Sequence, residues 1–367
     1  MRIDSNGFYQ PYITSTEECI DCSLCLKNCA YYNTETSSAK EPPIGYATWS
    51  NNPQIRQAAS SGGTGYEIAH FLVEKGYIFC GVKYDVKNGR AEHYLAESVD
   101  EIKDSTGSKY IQSFTLNAFK QIDFKNKKYV VFGTPCQIAS LHRLIGRKGT
   151  RDNFVLVDFF CHGVPSMLLW GKYINWAESK VGKISQVKWR NKSTGWHDSW
   201  NMIACGNNCE TIDWHDSYNL LIKKKSFLSS RASQGDLFYK YFFGHHCLGF
   251  HCTSACAFKM TKSYADIRIG DLWGKTYEKD DKGVTCVLAM TQRGNDILNS
   301  IDDIHKEITS VDVVCEGQMR NNAHAHPLRP FMLSMLRSRF TLKSIDAVVS
   351  TIELPLKVLR KLKLIKF

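Results

Sequence analysis

Residues 127–146 read KKYVVFGTPCQIASLHRLIG. The apolar run Tyr129–Phe132 predicts a strand, Gly133–Pro135 a turn, and the spacing beyond it a helix. The same pattern recurs on both sides. Residues 60–85, SSGGTGYEIAHFLVEKGYIFCGVKYD, read as a glycine-rich turn, a helix carrying Ile68, Phe71 and Leu72, and an apolar strand through Cys80. Residues 154–161, FVLVDFFC, read as a third strand running into HGVPS, with a helix from about Ser166. This alternation predicts an α/β core whose strand-end loops cluster, the usual place for a ligand. Residues 184–232 form an α+β insertion, alternating like antiparallel strands, with Cys205 and Cys209 flanking a Gly-Asn-Asn turn.

Three strand ends carry chemistry. Ser60, Ser61, Gly62, Gly63 and Thr64 stand directly before a helix, where backbone N–H groups and hydroxyls suit a phosphate or a flavin edge. Such turns also serve simply as helix caps. The GTPCQ turn places Cys136 at the mouth of the sheet, and Cys161-His162-Gly163 follows one strand later. Cys247, Cys252 and Cys256, in HHCLGFHCTSACAF, supply more thiols. A metal shell of Cys136, Cys161, Cys252 and Cys256 requires four thiolates at about 2.3 Å from metal. The alternative is that some are buried small apolar side chains, the reading preferred for Cys80, Cys286 and Cys315.

Upstream, ECIDCSLCLKNC sets Cys19, Cys22, Cys25 and Cys29 in C-x2-C-x2-C-x3-C spacing. That spacing curls a loop round a 4Fe-4S cluster in bacterial ferredoxins, where the fourth cysteine serves a second cluster. Here the run has no twin, and Ala30 replaces the usual following proline. Zinc or unligated cysteines are the alternatives, although zinc favours two separated C-x2-C pairs. Fourteen cysteines, no apolar leader in MRIDSNGFYQ and no long apolar span predict a reduced, cytoplasmic setting. The net charge of +11 suits an acidic redox partner or anionic surface, and no nucleic-acid recognition motif accompanies it. The C-terminal LPLKVLRKLKLIKF reads as a solvated helix, a partner helix or a membrane-surface anchor.

The segments SSGG (60–63), GSKYIQS (107–113), GTPCQ (133–137), DFFCHGVPS (158–166) and ADIRIGDLWG (265–274) together resemble the coenzyme F420 hydrogenase/dehydrogenase beta-subunit family. They follow the family's order between residues 55 and 275. GFYQPYI…CIDCSLCLKNC resembles the second half of that family's ferredoxin module, so either one cluster is kept or the reading frame opens further upstream. The resemblance implies FAD near Ser60–Thr64 and Gly107, Ser108, Lys109 and Tyr110, with Lys109 holding a phosphate or steadying the reduced flavin. It also implies electron exchange between flavin and one or two 4Fe-4S clusters. Cys252-x3-Cys256 departs from the family's C-x2-C pair, which bears on the second cluster.

On this reading the chain comprises a ferredoxin-type module (1–40), the two parts of an α/β flavin-binding core (54–145 and 146–290) and a helical basic tail (291–367). The expected function is an iron-sulfur flavoprotein oxidoreductase taking electrons from a ferredoxin-like carrier and reducing a small organic acceptor. His162 is the candidate proton donor, with an ordinary pKa near 6.5. The rivals are an electron-transfer subunit without its own substrate and a zinc-stabilised binding protein.

Overall fold

A computed structural model of the chain describes residues 1–33, 42–206, 227–318 and 320–361. Two short strands, β1 (Arg2–Ile3) and β2 (Tyr9–Gln10), pair near the N-terminus. Then come β3 (Ile44–Ser50), β4 (Ile78–Asp85), β5 (Arg90–Ala96), β6 (Ser113–Phe114), β7 (Tyr129–Gly133) and β8 (Phe154–Phe159). β9 (Ile184–Lys188), β10 (Asn201–Gly206) and β11 (Phe227–Arg231) form a separate antiparallel sheet, as the alternation predicted. Cys205 is buried on β10, while Cys209 falls outside the described residues. β12 (Ile267–Asp271), β13 (Thr285–Ala289) and β14 (Ile304–Thr309) complete the main sheet.

That sheet has nine strands in the order β14-β3-β13-β12-β8-β7-β4-β5-β6. Its centre, β12-β8-β7-β4, is parallel, and antiparallel strands flank it. The fold is therefore α/β with a mixed sheet. Parallel strands are covered on both faces and so read as continuous apolar runs. Val130, Phe132, Val155 and Val157 turn toward the helix Thr64–Glu74, which buries Ile68, Ala69 and Leu72. Tyr129, Val131, Phe154 and Leu156 turn the other way, onto Ile138, Leu141 and Ile145 of the helix Pro135–Lys148. Thr134 and Gln137 make a reciprocal cap at the start of that helix, and Pro135 occupies its first turn. Cys80, Cys286 and Cys315 are buried, as expected.

Two departures concern one side of the sheet. β3 precedes the point where the sequence turned recognisably α/β, and β14 lies within the stretch expected to be a helical tail. β14 is the edge strand and β3 pairs antiparallel between it and β13, and neither shows a clean period in the sequence. The tail is otherwise helical, over Arg329–Arg337 and Leu342–Lys361. Among the described residues no helix is long and apolar enough to cross a membrane.

A buried ion pair braces the functional edge. Arg268 on β12 binds Asp158 on β8 with both arms at 2.7 Å, and neither side chain reaches solvent. Arg268 also donates to the carbonyls of Met260 (2.6 Å), Lys262 (3.1 Å) and Phe258 (3.3 Å). One guanidinium thus fixes two strands and the loop that follows Cys256.

Candidate functional site

The C-terminal ends of the parallel strands open on a cavity of about 880 Å³. Ser60, Ser61 and Gly63 line it, together with Gly107, Ser108, Lys109, Tyr110, Gly133, Thr134, Cys161 and His162. Gly62 and Thr64 do not. The Gly62 N–H bonds Thr285 Oγ1 at 2.9 Å, and a Cβ there would lie 2.5 Å from the Thr48 carbonyl oxygen. Thr64 is buried against the Thr48 hydroxyl at 2.7 Å. These two anchor the turn to the sheet while their neighbours face the cavity. Ser60 Oγ accepts the Ser108 N–H at 2.8 Å and so ties the two glycine-containing loops together.

Two lysines brace these loops. Lys109 donates to the carbonyls of Ser105 (2.7 Å), Gly107 (3.0 Å) and Thr106 (3.3 Å), and burial pushes its pKa down to about 7. Lys192, buried, donates to the carbonyls of Arg56 (2.6 Å), Lys282 (2.7 Å) and Ser61. Burial lowers Lys192 to about 7 as well. The two amino groups thus engage the carbonyls of these loops. Lys192 was not legible in the sequence, where a lone lysine reads as a surface charge. Opposite, Arg190 binds Asp271 (3.0 Å), Tyr110 (3.2 Å) and Ser199 (2.9 Å) and stacks on Trp200.

Beside the cavity, Cys136, Cys161, Cys252 and Cys256 converge. All four are half-buried. Cys136 opens the helix after β7, and Thr134 Oγ1, on the cavity wall, lies 3.2 Å from its sulfur. Cys136 and Cys256 pack with Ala30, Ala139 and Phe258. Gly163 has φ +142° and leaves room for Cys252, whose Cβ would lie 3.1 Å from an added Cβ. Burial pushes the Cys161 thiol far up, and negative charge on Cys252, Cys136 or Cys256 would push it further. Burial likewise raises Cys252 to about 11. Cys247, by contrast, is fully buried in an apolar cluster, and burial takes it to about 12. Among the described residues no three of the four converging sulfurs come within 4.8 Å of one another. Four cysteines offer the donor set of an iron-sulfur cube or of a zinc ion.

The N-terminal cysteines lie on a loop docked against this shell. Cys19, Cys22 and Cys25 are exposed and Cys29 is half-buried. Asp21 (φ 50°) and Ser23 (φ 57°) take left-handed conformations that curl the loop into the short helix Leu24–Asn28. Arg143 reaches the Asn33 carbonyl (2.8 Å), Arg147 the Lys27 carbonyl (3.3 Å), and Ser140 Oγ accepts the Ala30 N–H (3.1 Å). Tyr31 stacks on His251 at 4.2 Å and points its hydroxyl at Cys136 Sγ, 3.5 Å away. Residues directly after Cys29 thus touch the converging thiols.

His162 opens into the cavity with its ring wetted. Enclosure by the walls, backed by the charges of His245 and Lys259, pushes its pKa down to about 4, below the ordinary value expected from sequence. Its Nε2 lies 3.0 Å from His245 Nε2, and His245 Nδ1 lies 2.9 Å from the His324 carbonyl. A carbonyl only accepts, so a neutral His245 carries its proton on Nδ1 and accepts from His162 Nε2–H. His162 therefore stands as a neutral donor already engaged by its neighbour. A second group, His246, His326 and Glu353, brings its ligand atoms within 4.8 Å of one another. There His326 Nδ1 accepts the Leu328 N–H at 3.1 Å, so a neutral ring has its proton on Nε2, toward Glu353, and that nitrogen has no lone pair for a metal.

Two family models match the chain: coenzyme F420 hydrogenase/dehydrogenase beta subunit N-term over residues 45–120, and its C terminus over residues 126–313. No curated protein matches. Among solved structures, a chain of the F420-reducing [NiFe] hydrogenase complex from Methanosarcina barkeri is similar at 14% identity and TM-score 0.48, covering 87% of this chain and 94% of that one. On the match of the family models, the chain belongs to the coenzyme F420 hydrogenase/dehydrogenase beta-subunit family.

Proposed function

We propose that this member of an oxidoreductase family is an iron-sulfur flavoprotein that takes electrons from a ferredoxin-type carrier and delivers them to an organic acceptor. The observation that carries the reading is the convergence of Cys136, Cys161, Cys252 and Cys256 on a cavity that Cys161 itself lines. Cys19, Cys22, Cys25 and Cys29 would hold one 4Fe-4S cluster and the converging four a second. Ser60, Ser61, Gly63 and Gly107–Tyr110 would hold FAD, with Gly62 and Thr64 fixing the turn. When bound, such groups supply single-electron carriage and two-electron storage.

The chain's own residues do the rest. Lys109 and Lys192 hold the loop carbonyls away from an anionic cofactor. Thr134 bridges the cavity wall and the Cys136 sulfur. His162 stays neutral at pH 7 and, through its Nε2–H, can pass a proton only in concert with His245. Anaerobic purification with iron, sulfide, zinc and flavin counts tests the reading. About eight irons and one flavin per chain are expected. Zinc with no flavin would overturn it.

A second reading, an electron-transfer subunit docking on a larger partner, is favoured by one observation. Ile20 (84% exposed), Tyr32 (69%) and Phe250 (63%) are exposed large apolar side chains that stand within three residues of Cys19, Cys29 and Cys252 in the sequence. Exposed apolar patches of this kind mark docking sites. The two readings part at the cavity, which holds an organic acceptor in the first and no substrate of the chain's own in the second.

A further inference from the structure

We infer that Lys259 is the cation that couples charge on the converging thiols to charge in the cavity, and so sets the reduction potential on both sides. The inference rests on the reading above and names a residue that it does not use. Lys259 follows Cys256 by three positions, in CAFKM. Its Nζ donates to the Cys161 carbonyl at 3.3 Å, and its side chain also lines the cavity. It therefore touches the thiol shell and the cofactor space at once.

The placement is built into the fold. Arg268 grips the carbonyls of Phe258 and Met260 on either side of Lys259. Met260 takes a left-handed φ of 50°, a conformation held only where the surroundings determine it. Cys161, His162 and His245 line the same cavity as Lys259. Lys109 and Asp271 line the cavity too. Lys109 is wrapped in the carbonyls of its own loop, and Asp271 is neutralised by Arg190.

The consequence is electrostatic. Each electron arriving at a thiol-bound cluster adds one negative charge there. Were a cluster and a flavin held at these sites, an electron passing between them would be lost by one and gained by the other, and no bond to Lys259 would form or break. A cation between the two sites stabilises the reduced form of each, more strongly in a partly enclosed site than in open water. Removing it lowers both potentials.

Redox titration of the anaerobically purified full chain tests this, using Lys259→Met, Lys259→Arg and, as a control, the exposed Lys262→Met. Iron and flavin counts come first, and absence of both from the wild type would overturn the underlying reading itself. With loading equal to wild type, Lys259→Met is expected to shift the reduced-to-oxidised ratio about tenfold toward oxidised at both centres. For a one-electron cluster that is about 59 mV, and for a two-electron flavin about 30 mV. Lys259→Arg should stay within about threefold of wild type and Lys262→Met should match it. Normal loading with unshifted potentials in Lys259→Met, or a shift at one centre alone, would overturn the inference.

Discussion

The two sets of cysteines in this chain are built in opposite ways. Cys19, Cys22, Cys25 and Cys29 sit within eleven residues on an exposed loop whose own backbone makes the curl. Cys136, Cys161 and the pair Cys252 and Cys256 come from three segments far apart in sequence, and the central sheet brings them together. The first set depends on local spacing and the second on global folding. Damage to the sheet should therefore reach the second set and spare the first.

Removal of Arg268 is the largest test of that contrast. Arg268→Met leaves Asp158 buried without its partner, and breaking such a pair costs about 3–5 kcal/mol. Thermal melting should fall accordingly, and iron should be lost from the converging set first. Retention of full iron and an unchanged melt would break the claim that this ion pair supports the shell.

Acid should act the same way. His93, 2% exposed, bonds the carbonyl of Phe132 on β7, the strand that leads to Cys136, and burial lowers its pKa to about 4. Because the unfolded ring takes up a proton near pH 6.5 and the folded one does not, the stability due to neutral His93 is complete above pH 6.5. It is lost as pH falls toward 4, up to roughly 3 kcal/mol at 1.36 kcal/mol per pH unit. Urea titrations at pH 7 and pH 4.5 should show this loss, and His93→Gln should flatten it. An equal pH dependence in both proteins would remove His93 from the account.

Smaller effects sharpen the comparison. Ser60→Ala leaves the Ser108 N–H without its partner, at a cost of about 1 kcal/mol. Flavin retention on gel filtration should weaken while iron stays constant; simultaneous loss of iron would show that the loops and thiols are not separable. The smallest effect on the isolated protein belongs to Ile20→Ser with Tyr32→Ser. Both side chains are exposed, so the melt should stay within about 0.5 kcal/mol of wild type while reduction by a protein donor slows. Unchanged reduction would move the docking face elsewhere.

What the sequence revealed follows the same division. The strand-turn-helix units over 60–85 and 127–146 were legible because parallel strands buried on both faces leave unbroken apolar runs. The N-terminal cysteines were legible because their geometry is encoded within one loop. The convergence of Cys252 and Cys256 with Cys136 and Cys161 could be stated only as chemistry in search of a geometry, since residues a hundred apart carry no spacing signal. Arg268, Lys192 and Lys259 were invisible for a related reason. A charged side chain reads as surface until the carbonyls or carboxylates around it are known, and these three are held by contacts from distant loops. β3 and β14 were missed because these antiparallel additions carry no strong period.

The most direct test of the central claim is iron and acid-labile sulfide per chain in wild type, Cys25→Ser and Cys161→Ser, measured side by side under anaerobic conditions. The account predicts about eight irons in wild type and about four in each variant, with flavin retained in Cys25→Ser. Full iron in Cys161→Ser would contradict it, because the thiol at the cavity wall would then hold nothing.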